Sequence, residues 1–395
     1  MRKFYLVLVI LLSVFQLFAI NNFGCLYTTI SPSATGTAFG NNAGASNIWD
    51  TSPLGAWSNP AKLGYHKGFA YGYTNTPWFR EIFNDIYYKT SYISFGWKGI
   101  GILLPMYSER NQFGTVFSYG EQERVDGETG EILGTFESWD ADTKFALGMN
   151  TIEFLSNFYS QESLKQINHY GELSLGFSYD KLHSELAPEG TGEIPNEFEA
   201  VADADFLSYG FLGRISPFNQ TNALGRFCSL DFVAGINYIN PEKNTITYMN
   251  DSQSDYLPWG THSAYSWKLS ILKNILPSME LHPVLNEMIN NLFSFYYSYD
   301  KTQYGKNTND NPGEWSRGYE MTFFDIFSVR DGYYKDEMGG IEGDTSGIGI
   351  NLNYQDLIQF QYNTSTTPAG ELQDSHDRTD YLIRLDLLRL YEKLH

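Results

Sequence analysis

Only two of the 395 residues are cysteines, Cys25 and Cys228, and neither sits in a metal-like spacing. That excludes a disulfide framework and a zinc site, and leaves room for one lone bridge at most. Basic residues are scarce as well: 26 Lys and Arg against 46 Asp and Glu give a formal charge of −20. Such a balance argues against a nucleic-acid partner. The histidines, His66, His169, His183, His262, His282, His376 and His395, form no i, i+4 pair, and none stands in a Gly-x-Ser-x-Gly context. Neither a helical zinc site nor a nucleophile elbow is therefore expected. The acid pairs Asp140/Asp142 and Asp203/Asp205 read as loop charge, because acid–base work needs a burial that loops lack. No enzyme, no metal and no cofactor is expected.

What the chain has in excess is aromatic surface, 29 Tyr and 28 Phe, set in a period of two. Ile348, Ile350, Leu352 and Tyr354 alternate with Gly347, Gly349, Asn351 and Asn353, and Ile358, Phe360 and Tyr362 alternate with Gln359, Gln361 and Asn363. Alternation puts successive side chains on opposite faces of a strand. Similar runs begin near Phe69, Ile93, Ile100, Phe145, Leu173, Leu207, Leu230, Tyr265, Phe293, Tyr319, Phe327 and Ile383, which makes 14 strands. A soluble sandwich would turn the apolar faces inward, and a membrane barrel would turn them to lipid. The faces opposite decide: Ser94 and Gly96, Lys144 and Gly148, Glu172, Ser174 and Ser178, and Ser266 and Lys268 are small or hydrophilic, as a wet interior requires. The reading is an all-β, 14-stranded antiparallel transmembrane β-barrel over residues 65–391.

Residues 1–19 read as a signal peptide, with Arg2 and Lys3 before an apolar run. An uncleaved anchor is the competing reading. Residues 20–64 are rich in Gly, Ala, Ser, Thr and Asn without a period, and are expected to fold into the lumen as a plug. Two connections carry helical spacing, residues 151–168 and residues 283–292, and strand parity puts both on the periplasmic side. Residues 184–205 read as a long outer loop with seven acids and no Lys or Arg. Trp49, Trp57 and Asn59 are the plug residues best placed to meet whatever enters.

Several short motifs resemble the FadL and PorV/PorQ outer-membrane families. Asn59-Pro60-Ala61 follows a Gly/Ala-rich lead; Asn237 to Lys243 precedes Thr245-Ile246-Thr247-Tyr248; and Ile326-Phe327-Ser328-Val329-Arg330-Asp331-Gly332-Tyr333 precedes Gly347-Ile348-Gly349. The resemblance implies a barrel in the outer membrane of a Gram-negative bacterium, with lipid around it. With the plug in the lumen, the expected substrate pathway runs near Trp49, Trp57, Asn59, Pro60, Lys144 and Arg330. The cargo that the resemblance implies is hydrophobic small molecules or proteins secreted by a type IX system. A FadL-like transporter of small molecules only, or a passive structural porin, is the alternative.

Overall fold

The computed structural model describes residues 23–40, 45–78, 85–106, 113–125, 129–159, 170–187, 200–218, 227–248, 254–272, 287–305, 313–337, 341–368 and 375–394. The alternating runs become strands β1 (Gly68–Pro77), β2 (Ile86–Trp97), β3 (Ile100–Pro105), β4 (Thr115–Val125), β5 (Ile132–Asn150), β6 (Gly171–Ala187), β7 (Ala200–Phe218) and β8 (Cys228–Ile239). They continue with β9 (Thr245–Thr247), β10 (Ser254–Tyr256), β11 (Gly260–Leu272), β12 (Asn291–Tyr304), β13 (Gly313–Phe323), β14 (Phe327–Asp336), β15 (Ile341–Tyr354), β16 (Ile358–Thr366) and β17 (Asp377–Leu385). Neighbours pair antiparallel around the sheet, and β1 closes it by pairing with both β2 and β17. Strands β3 and β4 occupy one position between β2 and β5, half each, so 14 positions close the barrel. Both lips of the interruption are bonded to Ser91, whose N–H donates to Gly114 O and whose carbonyl accepts from Met106 N, each at 2.9 Å.

The outward face is apolar and open. Phe177 and Ile383 are 39% and 48% exposed, while their inward neighbours Ser178 and Leu382 are 1% exposed. An apolar surface running round a whole barrel is far larger than water tolerates, so lipid is its solvent. Among the described residues no helix is long and apolar enough to cross a membrane; the strands do the crossing.

One end of the barrel has the tight turns, between Trp97 and Ile100, Phe323 and Phe327, and Tyr354 and Ile358, together with the connections β5–β6, β7–β8 and β11–β12; the other, the long-connection end, carries those that follow β1, β4, β6, β8, β12, β14 and β16. The expected helix in 151–168 is present as Thr151–Phe158 at the short-turn end, capped by Asn150, whose side chain accepts from Glu153 N. The one expected in 283–292 lies mostly outside the described residues.

Four expectations are corrected. Half a strand, β4, and the hairpin β9–β10 went unrecognised; β4 carries Glu121, Gln122 and Glu123 on a segment without apolar alternation. The barrel expected to reach residue 391 ends at Leu385, because the run that begins near Ile383 gives way at Leu387 to a helix, Leu387–Leu394. Asp140 and Asp142 are not loop charge: both are buried on the inward face of β5, and Tyr119 donates to Asp140 at 2.6 Å. The acidic loop is also shorter than 184–205, because Glu185 lies in β6 and Asp203 and Asp205 lie in β7. The remaining four acids of that stretch fall outside the described residues. No bridge joins Cys25 and Cys228; the first joins an apolar cluster near the long connections and the second opens β8 at the opposite end.

Candidate functional site in the barrel lumen

The N-terminal segment runs the height of the lumen. Phe23 bridges to Tyr256 in β10 near the long connections, and His66 lies just before β1 at the short-turn end. Between them come a 3₁₀ turn (Leu26–Thr29), a short helix (Ala34–Ala38) and two further 3₁₀ turns, Pro53–Trp57 and Pro60–Tyr65, each of the last two opened by a proline behind a capping Ser52 or Asn59.

The last of these, the strap of residues 58–66, lies along a row of glycines. Gly68, Gly96, Gly101, Gly148, Gly176 and Gly210 are direct register partners across β1, β2, β3, β5, β6 and β7. A Cβ added at Gly96, Gly101, Gly148, Gly176 or Gly210 would come within 3.0 Å of His66, Leu63, Pro60, Ala61 or Asn59 respectively. No side chain fits between wall and strap. Asn59 sits at the far end of this track: its Oδ1 caps Ala61 N at 3.0 Å, and its Nδ2 donates to Phe211 O at 3.4 Å. Ser174 Oγ donates to Ala61 O at 2.6 Å, and Asn237 Nδ2 donates to Ser58 O at 3.1 Å. His66 Nδ1 and Ser94 Oγ are 2.9 Å apart. Burial, with the Lys62 and Arg384 charges, pushes the His66 imidazole down to about 3. Lys62 turns back to donate to Gly55 O at 2.7 Å, and burial pulls its ammonium below the ordinary value although Asp50 and Asp300 oppose this.

Toward the long connections the lumen changes character. Cys25, Tyr27, Tyr88, Phe117, Leu182, Phe206, Ile246 and Leu257 form one buried apolar cluster. Tyr27 and Tyr88 place their hydroxyls on carbonyls of Ala141 and Ile30, at 2.7 and 3.0 Å, which satisfies them within it. Just below is a cavity of about 460 Å³, counted out to its open mouth, lined by Thr28, Trp57, Lys144, Asp180, Phe206 and His262 among others. Clear of the walls it holds about two water molecules. Lys144 Nζ pairs with Asp180 at 2.9 Å and stands 5.0 Å above the Trp57 ring. His262 Nε2 lies 3.1 Å from Asp300 Oδ1, and Ser298 donates to the other oxygen at 2.7 Å.

The expected site residues are thus split among several places. Trp57 and Lys144 share the cavity. Trp49 packs edge-on against Tyr296 at 5.4 Å with Lys268 over its ring, and Asn59 and Pro60 belong to the glycine track. Arg330 is on the other wall, where it bonds Glu320 at 2.6 Å and Asn363 at 3.0 Å. Asp180, His262 and Phe206 stand outside the expected set, although Asp180 shares the inward parity of Ser174 and Ser178 and His262 that of Ser266 and Lys268, and Asn237 enters the sequence reading only as the first residue of a motif. Among the described residues no group of His, Cys, Asp or Glu is arranged to hold a metal.

No family model matches the chain, and no curated protein does either. Among solved structures it is similar to the toluene transporter TbuX of Ralstonia pickettii, at 11% identity and a TM-score of 0.41, over 91% of this chain and 100% of that one. The Pseudomonas putida toluene transporter TodX gives 10% and 0.38 over 88% and 96%, and a FadL homologue of Pseudomonas aeruginosa 9% and 0.38 over 90% and 98%. Likeness of this degree assigns no role to any residue of this chain.

Proposed function

We propose that the chain is an outer-membrane barrel that takes small hydrophobic molecules in from its long-connection end. The observation carrying this is the apolar cluster inside the lumen, where Phe117, Leu182 and Phe206 project inward although their strand partners are the buried carboxylates Asp140, Asp142 and Asp180. A water-filled pore has no use for such side chains. A hydrophobic molecule leaving water gains about 25 cal/mol for each Å² it buries against them. Of the two ligand classes the family resemblance implies, a small molecule suits this interior, whereas a secreted protein does not fit inside it and would have to be met at the rim. The N-terminal segment then acts as the gate, since Thr28, Thr29 and Trp57 line the cavity below the cluster.

Binding of N-phenylnaphthylamine to the purified, heat-modifiable barrel should saturate. Phe206→Glu should weaken it by about tenfold, a loss of ~1.4 kcal/mol. A dye signal that rises without saturation would refute the proposal. Deleting residues 28–47 should raise single-channel conductance in planar bilayers, and unchanged conductance of an inserted deletion variant would remove the gate.

A further inference from the structure

The apolar wall does not stop where the last strand stops. After Leu385 the chain bends at Asp386, whose N–H donates to Leu357 O at 2.8 Å and whose carboxylate accepts from Arg389 N at 3.0 Å, opening the helix Leu387–Leu394. Arg389 Nη1 donates in turn to Asp356 Oδ2 at 2.7 Å, and Asp356 sits in the tight turn between β15 and β16. Those contacts fix the helix about its own axis with the Arg389 side against the barrel rim. At 3.6 residues per turn, Leu387 and Tyr391 then lie nearly opposite Arg389, with Leu390 about a quarter turn away. All three are open, at 62%, 62% and 41%. At the same end the outward row of Phe69, Tyr354, Ile358 and Leu385 is exposed as well, and the helix starts two residues after its last member.

We propose that this helix lies in the phospholipid interface at the short-turn end of the barrel, with Leu387, Leu390 and Tyr391 inserted at the boundary of headgroups and acyl chains. The proposal rests on the reading of the wall as lipid-facing, not on the transport role. Continuity is what selects lipid as the occupant: the helix follows a lipid-facing residue by two positions, and Arg389 keeps it at the rim rather than free in water. Its make-up suits that place, since leucines enter the acyl region while a tyrosine holds its hydroxyl at the headgroups. Eight residues are too few to hold a helix by themselves, so the Asp386 cap and the lipid surface act together.

The test uses the full-length barrel with Cys228→Ser, Cys25 being buried, and bimane attached at Leu390→Cys. The protein is reconstituted in phosphatidylcholine vesicles carrying lipids spin-labelled just below the headgroup. Labels at Leu385→Cys on the wall and Glu131→Cys at the far rim serve as lipid and water references. Quenching at position 390 should come within about twofold of that at 385, as interfacial burial requires. Quenching no stronger than at 131, with 385 still quenched, would overturn the proposal and leave the barrel wall untouched. Loss of quenching at 385 as well would overturn the lipid-facing wall and this inference with it. Protection of 390 from both lipid quencher and aqueous iodide would mean that a second copy or another protein covers the helix, which also overturns it. The same set repeated at Leu387→Cys guards against a variant that fails to insert.

Discussion

On the wall formed by β2, β3, β5, β6 and β7 the N-terminal segment meets bare glycines, whereas on the wall of β13 to β17 it meets guanidinium and carboxylate groups as well. Across from the strap, Ala34 N donates to Asp380 at 2.7 Å, Arg378 Nη1 donates to Thr37 Oγ1 at 2.9 Å, and Asn363 links Asp380 to Arg330. Glycine also admits the chain there, where Gly318 and Gly332 lie under Phe39 and Ala38, but charge completes the attachment. The glycine track holds by shape, which is indifferent to pH and salt and intolerant of volume. The charged wall holds by pairing, which fails when one partner is removed and can survive the loss of both.

The sharpest way to break the first wall is Gly176→Leu, which drives a side chain into Ala61. It should cost about 3 kcal/mol or more, the upper end of overpacking, read from the urea midpoint of heat-modifiable protein. Gly213→Ala, in the neighbouring strand β7 and with nothing within 4 Å of its added Cβ, should stay within about 0.5 kcal/mol. Equal effects would mean that the strap does not lie on the track.

The second wall is broken by Arg330→Met, which leaves Glu320 buried beside an apolar side chain and should cost about 3–5 kcal/mol. Arg330→Met with Glu320→Met should recover much of that. A double variant as unstable as the single would show that the ion pair does more than satisfy itself.

The glycine side also responds to acid, through His66. His66 is neutral in the fold with a pKa near 3, against 6.5 for an unhindered imidazole. Between those values the unfolded chain binds the extra proton, so stability should fall as pH drops below about 6.5 and level off near 3. His66→Gln should lose that component of the pH profile. An unchanged profile would place the imidazole in water.

The barrel itself was legible because lipid on one face and a wet lumen on the other impose period two on every crossing strand. Where strands rise above the lipid, the pattern lapses: β4 and the start of β5 carry Glu121, Glu123 and Glu137 in regular pairing, and Asp140 and Asp142 were misread for the same reason. The strap's position was legible from its composition but its track was not. Glycines 96, 101, 148, 176 and 210 are unequally spaced along the chain and become neighbours only through strand register. At the end of the chain, Asp386 turned an apolar alternation into a capped helix, an outcome that period two does not anticipate.

Because the strap precedes β1 in the chain and lies inside the closed sheet, the order of assembly is constrained. The bonds from Ala34 to Asp380 and from Thr37 to Arg378 span 346 and 341 positions, and β1 meets β17 only when the last strand is in place. The segment cannot pass through a sealed wall, so it is either inside when the β1–β17 seam closes or enters through an end of the barrel. Closure over such sequence separations is slow, and the open barrel that precedes it has its interior exposed.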